Sequence, residues 1–123
     1  MKRMLFALLL LPAIGHAQDT APVCSCPAQC DAMWAQATQD IEPASGMRIR
    51  IATNTLLETY VTNNAGRLTG TVTKRPVGNG SYAIELTLQP WYRGQADVQA
   101  GIRQHIGKFN ADLAQAGATT TCP

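Results

Sequence analysis

The sequence predicts an α+β domain. It is a two-layer sandwich in which a four-stranded antiparallel meander is flanked by an N-terminal and a C-terminal helix, in the order α-β-β-β-β-α. Three observations lead there. Two segments carry apolar residues at helical spacing, and the four segments between them alternate or are rich in β-branched residues. Every connection between those four is short enough for antiparallel neighbours, and a sheet with one apolar face needs a helical layer to cover it.

The chain opens with "MKRMLFALLLLPAIGHAQDT". Lys2 and Arg3 form a positive region, Leu5 to Leu11 an apolar one, and Gly15-His16-Ala17 ends in small residues of the kind a signal peptidase accepts. Residues 1–17 therefore read as a secretory signal peptide, and 18–123 as a single domain stapled by disulfides. The apolar run is far shorter than the roughly 20 residues a membrane span needs, so no stable anchor is expected after cleavage. The expected location is periplasmic or secreted. Ten Lys and Arg stand against eight Asp and Glu in the whole chain; without Lys2 and Arg3 the balance is eight against eight. A neutral domain lacks the electrostatic term behind nonspecific nucleic-acid binding, so no nucleic-acid partner is expected.

Gln18 to Val23 reads as a polar, flexible lead-in. From Pro27 to about Ile41, Cys30, Trp34, Ala37 and Ile41 recur on one helix face, and Pro27 suits the first turn. Pro43 and Gly46 in "EPASG" should stop that helix. "MRIRIAT" (47–53) places Met47, Ile49 and Ile51 on one face of a strand and Arg48 and Arg50 on the other. "TLLETYV" (55–61) is the second strand. "RLTGTVTKR" (67–75) is the third, with Leu68, Gly70 and Val72 inward and Thr69, Thr71 and Thr73 outward. Asn79-Gly80 is the pair that a two-residue hairpin turn prefers. The fourth strand, "SYAIELTLQ" (81–89), turns Tyr82, Ile84, Leu86 and Leu88 inward and Ala83, Glu85, Thr87 and Gln89 outward. After "PWYRG" (90–94), the stripe Val98, Ile102, Ile106, Phe109 and Leu113 defines the last helix, which Gly117 should end.

"CSCPAQC" (24–30) packs three of four cysteines into seven positions. Cys24, Cys26 and Cys30 could offer thiolates to Cu(I) or Zn(II), but structural zinc wants four ligands, usually as two close pairs. The redox reading lacks a Cys-x-x-Cys at a helix start. An even cysteine count in a small exported chain is the expected disulfide framework, and Cys122, beyond the last helix, finds partners only in the cluster. The spacing favours Cys122 bonded to Cys26 or Cys30. No metal ligand set and no cofactor are expected.

Other candidates carry less. His105 is the only histidine after the leader, so a small hydrolase would depend on it; the domain's serines, Ser25, Ser45 and Ser81, fall in turns or caps, and no triad can be assembled. Glu58 and Glu85 are explained by ion pairing with Arg48 and Arg50 across strands. Trp34 belongs to the core face of its helix. Trp91, Tyr92 and Arg93, on a connecting segment, could anchor a protein partner together with the Arg48/Arg50 face, since Trp, Tyr and Arg dominate interface hot spots. The expectation is a noncatalytic accessory, inhibitor or immunity-type factor that binds another envelope or exported protein. A thiolate metal carrier and a His105 hydrolase are the alternatives.

Overall fold

The computed structural model describes residues 20–91 and 96–123. The expected leader, Tyr92 and Arg93 lie outside the described residues. The element order is β1 (Val23–Cys24), α1 (Pro27–Ser45), β2 (Ile49–Ala52), β3 (Leu56–Thr59), β4 (Leu68–Gly78), β5 (Ser81–Pro90) and α2 (Ala96–Ala118). The fold is α+β with two helices, but the antiparallel sheet has five strands rather than four, in the order β1-β5-β4-β3-β2.

The additional strand corrects, at Pro22 and Val23, the reading of Gln18 to Val23 as a flexible lead-in; Gln18 and Asp19 lie outside the described residues. Val23 pairs with Ala83 and Cys24 with Tyr82, and the Ile84 N–H donates to the Pro22 carbonyl at 2.9 Å. Two residues are too few to show a period. What holds them is Cys24, fully buried and bonded to α1 through Cys30. The chain then crosses the sheet as α1 and re-enters at the opposite edge as β2.

Both helices lie over one apolar face. Met33, Ala37 and Ile41 of α1 and Ile102, Phe109 and Leu113 of α2 form one cluster with Leu57, Val72, Ile84, Leu86 and Leu88 of the sheet. The expected inward residues of β4 and β5 supply that face. Ala83, expected outward, is nevertheless buried. Its cross-strand neighbours Val23 and Arg75 stand on the same face with longer side chains and shield its methyl.

Further details differ from expectation. Pro43 does not stop α1; it sits in the last turn, where its lost bond and its ring's crowding of the Gln39 carbonyl leave only Ala44 and Ser45 of the helix to redirect. Gly46 then ends the helix in the left-handed region at φ 76°, its N–H donating to the Glu42 carbonyl at 2.7 Å. In β2 a bulge between Ile49 and Ile51 shifts the register, so Ile49 packs on the core opposite Thr59 while Ile51 stands opposite Glu58 on the outer face. The second strand stops at Thr59, leaving Tyr60 and Val61 outside it.

Gly117 does not end α2 but lies within its last turn. A Cβ there would fall 2.7 Å from the Met33 sulfur. The glycine is therefore a point of close helix contact, reinforced by Gln29 Nε2 donating to the Gly117 carbonyl at 2.9 Å. Asn79 and Gly80 form the predicted hairpin turn, with φ 55° and 74°.

Candidate binding surface and helix cleft

All four cysteines are bonded, Cys24 to Cys30 and Cys26 to Cys122, with Cα separations of 5.0 and 5.7 Å. The second bridge joins the start of α1 to the segment beyond α2. With every cysteine sulfur in a bridge, a thiolate metal site at Cys24, Cys26 and Cys30 would require reduction first. Among the described residues, no group of three His, Cys, Asp or Glu side chains is placed to hold a metal ion.

The bridges close one end of the molecule, together with the β4–β5 hairpin. The opposite end is built from the start of β2, the end of β3, the start of β4 and the end of β5. Strand pairing brings these segments together: Leu68 opposes Pro90, the Tyr60 N–H donates to the Arg48 carbonyl at 3.0 Å, and the Thr62 N–H donates to Thr69 Oγ1 at 3.0 Å. Tyr60 is 53% exposed, Val61 77% and Trp91 59%. Arg48 and Arg67 are exposed at the same end, and neither has an ion-pair partner among the described residues.

The local chemistry inverts the usual order of burial. Tyr60 and Val61 stand out in water, while Thr59 and Thr62 on either side are buried. Those threonines hold the loop. Thr59 Oγ1 accepts the Gly70 N–H at 2.9 Å and donates to the Tyr60 carbonyl at 3.0 Å. Thr62 Oγ1 accepts the Asn64 N–H at 3.1 Å, and Asn64 Oδ1 accepts the Gly66 N–H at 2.8 Å. The loop after Thr59 is thereby fixed, and two apolar side chains are presented from a rigid base. A preorganised display of this kind reduces the ordering cost of binding.

Of the expected partner-binding residues, the structure brings Arg48 and Trp91 to one end. It sets Arg50 apart, in an ion pair with Glu58 at 3.0 Å. Glu85 pairs with Arg75 at 3.8 Å rather than with Arg48 or Arg50. Tyr60, Val61 and Arg67 were not singled out from sequence, because "TLLETYV" reads as one strand in which Tyr60 and Val61 look like ordinary β-formers. Trp34 behaves as expected only in part: half-buried against the core, its Nε1 donates to the Thr53 carbonyl at 3.0 Å and its ring lies 5.9 Å from the Lys74 ammonium.

His105 borders a second feature, a cleft of about 240 Å³ between the helices. Its walls are Asp40, Pro43 and Ala44 of α1 and His105, Lys108, Phe109 and Asp112 of α2. Two carboxyl groups thus accompany the histidine. None of the three serines joins them: Ser45 is buried with its hydroxyl bonded to the Ile41 carbonyl at 2.7 Å, and Ser25 and Ser81 lie towards the bridged end.

In comparisons with family models, curated proteins and solved structures, the chain has no match.

Proposed function

We propose that this chain is a noncatalytic, exported, disulfide-stapled factor that binds another exported protein through the unbridged end of its sheet. The observation that carries the reading is Tyr60-Val61, exposed between two buried threonines and held there by hydrogen bonds. Two exposed apolar side chains on a rigid loop, with Trp91 at the same end, suit recognition better than folding, since an unbound fold gains nothing from displaying them. Arg48 and Arg67 flank them without partners among the described residues, which selects an acidic segment carrying apolar side chains.

Two bridges support the exported location, as does the leader-like opening of the sequence. Among the described residues, no helix is long and apolar enough to cross a membrane.

The test is site-specific photocrosslinking in the producing cell. A benzophenone side chain at Val61 should give one adduct of defined mass with an acidic protein, and charge reversal at Arg48 and Arg67 should abolish it. The same probe at Thr73, on the outer sheet face, should give none. No adduct from Val61, or the same adducts from both positions, would remove this end as the binding surface.

A further inference from the structure

The helix cleft contains an electrostatic problem that the binding reading does not use. Asp40 of α1 and Asp112 of α2 meet across the seam between the helices. Asp40 Oδ1 accepts from Gln36 Nε2 at 3.1 Å. Its other oxygen, Oδ2, is sealed from water and has no donor among the described residues. Asp112 Oδ2 accepts from Lys108 Nζ at 2.7 Å. Two ionised carboxylates placed this way repel each other, and a buried acceptor without a donor keeps its full desolvation penalty. One proton resolves both difficulties, because a protonated Asp40 becomes a donor towards Asp112.

We infer that Asp40 and Asp112 share a single proton, Asp40 as the acid and Asp112 as the carboxylate, and that the pair is a latch across the α1–α2 seam that tightens in mild acid and loosens as the pH rises. The groups facing it are Gln36 on α1 and Lys108 and His105 on α2. Burial pushes the Asp40 carboxyl above its ordinary value, and Asp112 adds to the rise; Gln36 and Lys108 oppose it. The hydrogen bond from Lys108 pulls Asp112 below its ordinary value, against its own burial.

The signs give the pH window. Protonated Asp40 fits the fold, so its penalty appears as the pH rises above the unfolded value and is complete above the raised folded value. Asp112 behaves oppositely: its contribution is present above its unfolded value and is lost as the pH falls through the lowered one. The seam is tightest between the two, with Asp40 neutral and Asp112 charged.

Carboxyl-carbon NMR titration of the oxidised wild-type protein tests the proton assignment, and Asp112→Asn serves only to identify the resonances. Asp40 should titrate above about 3.9 and Asp112 below it. An Asp40 midpoint at or below that value overturns the proposal. Asp40→Asn keeps the shape, donates to Asp112 and cannot ionise. It should raise Tm at pH 7 by several degrees, on the order of 4 °C, and flatten the dependence between pH 4 and 7. An unchanged or lower Tm at pH 7, with the wild-type slope retained, overturns the latch. Amide exchange around Asp112, corrected for intrinsic rates, should lose protection as the pH rises through the raised Asp40 midpoint in the wild type and not in Asp40→Asn. Equal losses in both would likewise remove the latch. His105→Gln should leave the Asp40 midpoint above about 3.9; a return to the ordinary value would assign the effect to His105 instead.

Discussion

The two ends of the sheet solve opposite problems. At one end Cys24, Cys26, Cys30, Met33 and Gly117 are buried or cross-linked, and helix backbone approaches helix side chain too closely for an added methyl. At the other, Tyr60, Val61 and Trp91 face water, and the Tyr60-Val61 loop is held by hydrogen bonds of Thr59, Thr62 and Asn64 and by the Tyr60 N–H to the Arg48 carbonyl. With the proposed binding surface at the open end, the difference keeps stability and recognition apart. Covalent bonds and tight packing hold the first end. The bridged end also exposes Val23 and Val77, but Tyr60, Val61 and Trp91 at the open end are the more exposed.

If that division holds, substitutions should affect stability strongly at the bridged end and weakly at the open one. The largest effect belongs to the Cys26–Cys122 bridge, which spans 96 positions. Replacing both cysteines by serine should cost about 4–5 kcal/mol by the chain-entropy model, read as a shift in the urea midpoint. Loss of Cys24–Cys30, spanning only 6 positions, should cost about 2 kcal/mol less than that. A larger loss from the short bridge would show that β1 docking, rather than chain entropy, dominates that end.

The next effect tests packing alone. Gly117→Val puts two methyls against the Met33 side chain and should cost about 1–3 kcal/mol in thermal or urea unfolding. Smaller again is Trp91→Ala at the open end, which should change stability by less than about 0.5 kcal/mol, a Tm shift of roughly 2–4 °C, while abolishing the crosslink from Val61. A Tm loss several times larger would return Trp91 to a packing role. A similarly small change should come from Arg50→Gln. Its pair with Glu58 is nearly half exposed on the arginine side, and such pairs contribute about 0–1 kcal/mol.

Much of this architecture was legible because it rests on periodicity. The alternation in 81–89 and the stripe from Val98 to Leu113 each named the residues that reach the core. The Asn79-Gly80 turn was readable because few residue pairs accept positive φ at both positions. What escaped has no period. A two-residue strand looks like a lead-in, and a bulge reverses the face of Ile51 without changing its sequence neighbourhood. Pro43 and Gly117 were read as terminators because local chemistry favours that. A helix near its end absorbs one missing bond, and a neighbouring helix can demand a glycine. The candidate surface was half visible. Arg48 and Trp91 were singled out from residue type, but Tyr60 and Val61 become unusual only when Thr59 and Thr62 are known to be buried. The Asp40–Asp112 pair joins positions 72 apart in sequence, and only helix packing brings them together.

The Cys26–Cys122 connection also orders events during synthesis. Cys24 and Cys30 are both present once the first turn of α1 exists, whereas Cys122 follows every element of the fold. Until it arrives, Cys26 is an unmatched thiol with Cys24 two positions before it and Cys30 four after. An oxidant acting on the growing chain therefore meets three sulfurs that proximity alone cannot sort. What sorts them is β5, made late, against which β1 must dock before Cys24 is buried. The native pairing is therefore favoured once β1 has docked on β5, because only then are Cys24 and Cys30 buried side by side and Cys26 left for Cys122.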